Sequence, residues 1–406
     1  MECFYVGSGI NSLMNYSLYV HIPFCKHRCH YCDFNTNVEK ELFITAYVNA
    51  LISELRIVSE YLSKDLLHSI YFGGGTPSLL FDSHYEELMN VIHGEFSLSY
   101  DCEISLEANP GTISDSYLGS LNALGFNRIS FGVQSTDSFD LTRLDRSHNI
   151  DDVLSGIRIA RGAGFKNINL DMIFNLPWQN IMSWKNSLSR ALALRPDHFS
   201  LYSLIIEEGT PLHGWYQRGL IELQNEDLEA EMYEIAIKMM DDHGYLHYEI
   251  SNWSKIDPKQ DMRCIHNLQY WSNLPYLGVG AGAHGYIGNI RTENVHSLDD
   301  YISRMGDLER ISLRYPETPA TIESSAVDHL TQMKDFMWLG LRLVNEGVSV
   351  ERFRKTYDLS MSEAFNEEIN ELIGLGLVTW VDDNHPRLIL TPRGKMVANQ
   401  VFMRFV

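Results

Sequence analysis

Three cysteines, Cys25, Cys29 and Cys32, lie within His21-Ile22-Pro23-Phe24-Cys25-Lys26-His27-Arg28-Cys29-His30-Tyr31-Cys32 and constrain this chain more than any other feature. A C-x3-C-x2-C run places three thiolates where one short loop can wrap them round a metal cluster. Three ligands on a four-iron cube leave one iron without a protein ligand, and an open coordination position can bind and activate a small molecule. A structural zinc site would instead take four protein ligands, usually in C-x2-C pairs, and His27 and His30 could complete one here. A disulfide fits less well, since only six cysteines occur in 406 residues and no secretory signal precedes them. Cys3, Cys102 and Cys264 are scattered and read as inert, although Cys264 lies close to a second motif.

A chain of 406 residues fits one large domain with accessories. Its formal charge of -21 argues against a nucleic-acid surface, which needs clustered Lys and Arg. No apolar run approaches the roughly 20 residues that span a bilayer. The first 24 residues lack a basic start and an apolar h-region, so no export signal is read. A reduced, cytoplasmic setting is expected.

Strands and helices alternate. The cluster loop follows the strand-like Leu18-Tyr19-Val20-His21, and Glu41 to Tyr61 reads as a helix. Ser69-Ile70-Tyr71-Phe72 is a short strand ending in Gly73-Gly74-Gly75-Thr76-Pro77. Further strands are expected at Glu103 to Leu106, Arg128 to Val133, Ile168 to Ile173 and His198 to Leu204, with helices at Tyr117 to Leu124 and Val153 to Ala163, the latter stopped by Gly164. Strand then helix, repeated about six times, implies parallel strands joined by crossover helices, hence an α/β fold; an open or closed β/α barrel satisfies that order, a partial (β/α)6 barrel is expected, and ligands would sit at the carboxyl ends of the strands. The cysteine loop, the triple glycine, Glu107, Gln134 and Asp171 all fall there.

Beyond about Ala326 the pattern changes. Phe336 to Leu343 and Ile369 to Leu375 are helical, Leu377 to Val381 and Pro386 to Leu390 form a hairpin turning at Asp382-Asp383-Asn384, and Pro392 to Phe405 is a last helix. A small α+β, winged-helix-like domain is expected, and with Asp382 and Asp383 on its wing it reads as a packing or partner module. The expected division is an N-terminal extension (1–16), the barrel (17–250), a connecting region (251–325) and this domain (326–406).

The cysteine spacing resembles that of radical S-adenosylmethionine (SAM) proteins, in which the open iron chelates the amino and carboxylate groups of SAM. Tyr19-Val20-His21-Ile22-Pro23-Phe24-Cys25, Gly73-Gly74-Gly75-Thr76-Pro77, Gly132-Val133-Gln134-Ser135 and Leu176-Pro177, in this order, resemble the oxygen-independent coproporphyrinogen III oxidase family over nearly the whole chain. The true oxidases carry a further cysteine two positions after the third ligand. This chain has Phe34 there, as in the branch of HemW-type haem chaperones. His266-Asn267-Leu268-Gln269-Tyr270-Trp271 matches the H-N-x-x-Y-W motif linked in that branch to haem binding.

The resemblance implies a [4Fe-4S] cluster on Cys25, Cys29 and Cys32, with Tyr19 and Tyr31 flanking the cluster and adenosine. Gly74, Gly75 and Thr76 would offer backbone groups to the methionine end of SAM, since a residue without a Cβ admits a ligand close to the chain. Glu107 would contact this SAM, while Gln134, Arg146 and Asp171 match positions that hold a second one in the oxidases. Chemistry agrees in part: the planar fork of Arg146 suits a carboxylate, and Asp171 suits an ammonium or ribose hydroxyls. The bland alternatives are that Glu107 or Asp171 caps a helix and that Arg146 pairs with Asp145.

His266 would contact haem, Asn267 would help orient it, and Tyr270 and Trp271 would stack on a porphyrin face. Cys264 is a competing ligand, and an ordinary loop histidine beside core aromatics is the plain alternative. Two departures from the family pattern, Trp178 in Leu176-Pro177-Trp178-Gln179 and Trp253 in Ser251-Asn252-Trp253, bear on loop shape only. The function expected is a haem chaperone that passes haem to an acceptor haem protein, whether in solution or in a membrane. The alternatives are oxidative decarboxylation of coproporphyrinogen III and radical chemistry on another porphyrin.

Overall fold

The computed structural model describes residues 15–62, 65–307 and 314–406. Cys3 and nearly all of the expected N-terminal extension lie outside these residues. Six parallel strands follow one another in chain order: β1 (Asn15–Ile22), β2 (Leu66–Gly74), β3 (Ser97–Ala108), β4 (Arg128–Gln134), β5 (Asn167–Phe174) and β6 (His198–Ser203). Helices such as Ile44–Ser59, Asp82–Glu95, Ile150–Ala163 and Ile181–Ala193 cross over between them, which makes the partial (β/α)6 barrel expected from the sequence.

The strands carry a strict two-residue alternation. Leu18, Val20 and Ile22, Ile70 and Phe72, Ile104 and Leu106, Ile129 and Phe131, Leu170 and Met172, Phe199 and Leu201 all enter the main hydrophobic core under the helices. The residues between them are polar and face the other way, among them Ser17, Ser69, Glu103, Ser105, Arg128, Ser130, Asn169 and Ser200, all buried. Successive side chains of a strand point to opposite faces, so the outer face is apolar and the concave face polar. The interior is therefore not filled by branched aliphatics, as a closed barrel's is, and stays open for ligands.

The region 251–325, expected to be a connector, extends the sheet at both edges. Beyond β6 lie the antiparallel strands β7 (Tyr245–Glu249) and β8 (Asn252–Lys255). On the other side β9 (Tyr276–Val279) pairs parallel with β1 and is followed by the antiparallel strands β10 (His284–Ile287), β11 (Ile290–Asn294) and β12 (Thr321–Ala326). The resulting order is β12-β11-β10-β9-β1-β2-β3-β4-β5-β6-β8-β7. Propensity alone could not assign β9 to β1, a partner more than two hundred residues earlier.

The C-terminal segment has its own apolar core, built from helices His329–Leu341, Val350–Tyr357 and Met361–Gly374 on a three-stranded sheet of β13 (Val348–Ser349), β15 (Arg387–Leu390) and β14 (Val378–Val381), in that order. The single last helix expected over Pro392 to Phe405 is two short ones, Pro392–Met396 and Ala398–Phe402, because Val397 leaves the helical region at φ -123°, ψ 35°.

The helical stretch Glu41–Leu62, 22 residues long, passes by length and composition alone as able to cross a bilayer, yet half of its apolar window is buried inside the protein. Interleaved polar residues leave it without a continuous apolar run, as the sequence reading has it. Its Tyr47, Leu51, Leu55 and Val58 pack into the main core. The same helix buries Glu54, whose carboxylate accepts from Tyr301 Oη (2.7 Å), Gly280 N (2.8 Å), Thr318 Oγ1 (2.8 Å) and Asn294 Nδ2 (2.8 Å), tying the β9–β12 edge to the barrel. Glu54→Ala strands four buried donors, and a loss of about 3 kcal/mol in urea unfolding is expected, whereas Glu54→Gln loses less.

Candidate functional site

β1 ends in the cysteine loop, which a short parallel pairing of Phe24–Cys25 with Asn37–Val38 closes. Two side chains clamp its far end. Asn35 Nδ2 donates to the carbonyls of Ala281 and His296 at 3.0 Å each, and His21 Nε2 donates to Asn35 O at 2.9 Å. A carbonyl only accepts, so His21 Nδ1 carries the lone pair that takes the Tyr19 hydroxyl proton at 3.0 Å. The loop's middle is held by His30 N to Leu144 O (3.2 Å) and by Leu212 N to His30 O (3.0 Å).

The residues fit a cluster better than a single zinc. His27 and His30 both turn to Asp145 rather than to the thiols, which removes them as completing ligands and leaves Asp145 engaged away from Arg146. Among the described residues no three His, Cys, Asp or Glu side chains converge as one metal ion requires. A single zinc would hold its thiolates about 3.8 Å apart, given bonds of about 2.3 Å, whereas on a cube each thiolate binds its own iron. Space is kept for Cys25: a Cβ on Gly75 would lie 3.0 Å from Cys25 Sγ and 2.7 Å from Phe24 O. Burial raises the Cys25 thiol and pushes Cys32 up to about 11, so metal loading has to displace protons. Arg146 offsets the negative charge, donating from Nη1 to Cys29 Sγ at 3.3 Å, while its Nη2 donates to Gly132 O (2.6 Å) and Asn109 Oδ1 (2.5 Å) and its buried Nε has no partner among the described residues.

The thiols open onto a cavity of about 540 Å³ at the carboxyl ends of the strands. Every site residue expected from the sequence lines it except Trp271: Tyr19, Cys25, Cys29, Tyr31, Cys32, Gly74, Gly75, Thr76, Glu107, Gln134, Arg146, Asp171, His266, Asn267 and Tyr270. The residues that the resemblance divides between two SAM molecules share this one space. The N–H of Gly74 donates to Glu107 Oε2 (3.1 Å), that of Gly75 to Ile22 O (2.9 Å) and that of Thr76 to Phe24 O (2.8 Å). A ligand meeting this segment therefore does so through its carbonyl oxygens, which suits an ammonium donor. Gln134 sits at a register shift between β4 and β5 with φ +65°, a left-handed backbone uncommon for a residue with a Cβ and frequent at binding sites.

Glu107 and Asp171 are buried carboxylates, not helix caps. Tyr71 Oη donates to Glu107 at 2.8 Å, and burial together with Asp171 pushes its carboxyl up to about 7. Asp171 accepts from Ser130 Oγ (2.7 Å) and Asn169 Nδ2 (2.8 Å), and burial raises it too. Behind them runs a chain that the sequence reading missed. His198 Nδ1 donates to Asn169 Oδ1 (2.6 Å), Tyr248 Oη donates to His198 Nε2 (2.8 Å), and Cys264 N donates to Tyr248 Oη (3.2 Å). Arg128, Ser130, Asn169 and Ser200 also line the cavity. Their signal was a polar residue at every second position of parallel strands, which ordinarily read as continuous apolar runs.

The helix Ile265–Trp271 forms one wall. Glu103 accepts from the N–H groups of Ile265 and His266 at 3.1 Å each and faces Arg128 at 3.9 Å, while the Cys264 thiol packs 3.6 Å from it. Burial pushes the Cys264 thiol up to about 12, so it stays a neutral core group. The His266 ring stacks on Tyr71 with centroids 5.1 Å apart, and both its nitrogens are engaged, Nδ1 with Ser69 Oγ (3.0 Å) and Nε2 with Tyr270 Oη (2.9 Å). Burial, with His68 and Arg128 nearby, holds it neutral, down to about 3. An iron bond to His266 would have to displace one of these hydrogen bonds. Trp271 points away from the cavity, under the guanidinium of Arg342 at 4.2 Å, and joins the helix to the C-terminal domain instead of presenting a stacking face.

Residues 19–191 match the radical SAM superfamily and residues 327–397 the HemN C-terminal domain. A protein of Bacillus subtilis (strain 168) described as heme chaperone HemW is 38% identical over 391 residues, covering 96% of this chain and 99% of its own length. One of the same description from Lactococcus lactis subsp. lactis (strain IL1403) is 35% identical over 390 residues, covering 96% and 97%. The mitochondrial radical S-adenosyl methionine domain-containing protein 1 of Mus musculus is 31% identical over 373 residues, 89% of this chain and 81% of its own. The solved coproporphyrinogen III oxidase (HemN) of Escherichia coli superposes with a TM-score of 0.79 at 24% identity, covering 97% of this chain and 90% of that one, a likeness of fold.

Gly75→Ala would press a methyl group on Cys25 Sγ, so iron and sulfide bound per chain after anaerobic reconstitution are expected to fall well below wild type. Gly94→Ala, on an open helix face with nothing within 4 Å, should leave both unchanged.

Proposed function

This chain belongs to the haem chaperone HemW family within the radical SAM superfamily, and from that premise we propose that it binds haem and delivers it to an acceptor haem protein while carrying a [4Fe-4S] cluster on Cys25, Cys29 and Cys32. The match to curated chaperones over nearly the whole of both chains carries this reading. The cluster, when bound, supplies an iron with an open position for SAM and a one-electron redox couple. The protein's own residues do the rest. Gly75 leaves room for the first thiolate, Arg146 sets a cation beside the second, and Glu107 and Asp171 face the cavity with carboxylates that suit a cationic ligand. Tyr19 and Tyr31 wall the adenosine side, and Gln134, Arg146 and Asp171 are the residues for a second SAM. A cytoplasmic, reducing setting suits three unpaired thiols that open onto a cavity. Coproporphyrinogen decarboxylation is not favoured: the position two after Cys32 holds Phe34, 61% exposed, which can neither carry a proton nor ligate.

Two outcomes are expected. Cluster-loaded, hemin-loaded protein mixed with an apo-haem protein should pass its haem on, followed by the shift of the Soret band, and should not convert coproporphyrinogen III under the same anaerobic conditions. Conversion without transfer would reverse the assignment. SAM affinity should rise as pH increases through about 7, because Glu107, raised to that range by burial and Asp171, is neutral below it and anionic above it. In Glu107→Gln that step in a calorimetric titration should disappear.

A further inference from the structure

A second cavity, of about 650 Å³, adjoins the first; Arg28, Asp33, Phe34 and Thr36 of the cluster loop, with Tyr19, Gly74, Glu107 and Tyr270, line both. Its outer wall comes from Tyr276 on β9, His284 on β10, Gly282 between them and His296 just beyond β11. Three imidazoles line it, those of His21, His284 and His296. Those of His21 have both nitrogens engaged, with Tyr19 Oη and Asn35 O. His296 Nε2 is 2.6 Å from the Glu293 carboxylate. His284, exposed on β10, has no hydrogen bond to either ring nitrogen among the described residues. His266 does not line this cavity and has both nitrogens engaged as well.

A porphyrin needs flat apolar surface for its faces, a nitrogen or sulfur donor for its iron and a cation for its propionates. The second cavity has each. Phe34 stands at its mouth, 61% exposed, and Tyr276 packs edge-on against Tyr270 with centroids 4.6 Å apart. Arg28, also exposed, donates its Nε to Cys32 O (3.1 Å), and among the described residues its terminal amino groups have no hydrogen-bond or ion-pair partner and can meet a carboxylate. We propose that haem occupies this second cavity with His284 as its iron ligand, Phe34 and Tyr276 against the porphyrin, and Arg28 on a propionate. The inference rests on the haem-chaperone reading. Tyr270 then stands between the two cavities, and His266, hydrogen-bonded to it from the first, supports the haem site through Tyr270 rather than through iron.

The test titrates hemin into the anaerobically reconstituted full chain and reads the Soret band, the iron–histidine stretch by resonance Raman and the electron paramagnetic resonance spectrum. His284→Ala is expected to lose the imidazole-ligated signature and to bind hemin at least about tenfold more weakly, and free imidazole added to the variant should restore the signature. His284→Tyr should give a phenolate-ligated spectrum instead. Both variants should load iron and sulfide as wild type does, since the side chain is exposed. Unchanged spectra in both variants would move the ligand elsewhere and overturn the inference while the chaperone reading stands. No saturable hemin binding by the wild-type protein would remove both.

Discussion

Glu103 stands on the concave face of β3 with its carboxylate out of water, and the segment from Cys264 to Trp271 is built around it. A helix as short as Ile265–Trp271 is not stable by itself, and its first turn presents N–H groups with no partner inside the helix. Glu103 accepts two of them, and a negative group at that end is also favoured by the helix dipole. Arg128, equally buried, supplies the countercharge. Removing either partner would leave an unpaired charge in the interior, which costs far more than the pair itself contributes. Because β3 is fixed in the middle of the parallel sheet, this one contact carries a remote stretch of chain onto the barrel wall, sets His266 over Tyr71 and turns Trp271 outward to Arg342.

The concave face as a whole makes the same exchange. A sheet strand that buries Ser, Asn, Asp, Glu and Arg at alternate positions gives up apolar contact on that side and has to satisfy each polar group within the protein. The run from Asp171 through Asn169, His198 and Tyr248 to Cys264 does so with short hydrogen bonds, and each member fixes the orientation of the next. Since an amide oxygen can only accept, Asn169 sets the tautomer of His198, which in turn accepts from Tyr248. The cavity wall is thus rigid before any ligand arrives, which lowers the ordering cost of binding.

The chemistry was more legible in the sequence than the topology. The cysteine spacing is a local signal, Gly75, Glu107 and Asp171 came with the family resemblance, and all lie on or just after a strand, so the order of elements sufficed to bring them together. Gly164 was readable as a stop because a left-handed cap favours glycine, and it has φ +100°. The β9–β12 edge was not readable, since its strands are four to six residues long and are specified by partners far away in the chain. Trp271 illustrates the limit of a motif: adjacent residues on a helix diverge by about 100°, so Tyr270 and Trp271 could not both face one porphyrin. The polar alternation of the inner face is present in the sequence, but a two-residue period marks a strand without telling which face its Ser and Asn residues occupy.

The cluster loop and the second cavity are mechanically one object. Phe34 follows Cys32 by two residues, and Asn35, next to it, is pinned to Ala281 and His296 on the far wall and to His21 on β1. When thiolates hold a cluster, the chain from Cys25 to Cys32 is fixed at one end of this short span while Asn35 is fixed at the other. Phe34 then has almost no freedom left, and it lines both cavities. Without a cluster the span is still held at Asn35 and by the backbone hydrogen bonds of His30, but the Cys32 side of Phe34 loses its anchor to metal. Glu107, Tyr19 and Tyr270 add a second link, since a ligand that moves any of them in the first cavity changes the surface of the second. This arrangement requires no large motion: it needs only that one side chain between two bound groups be positioned by the covalent neighbour of a metal ligand.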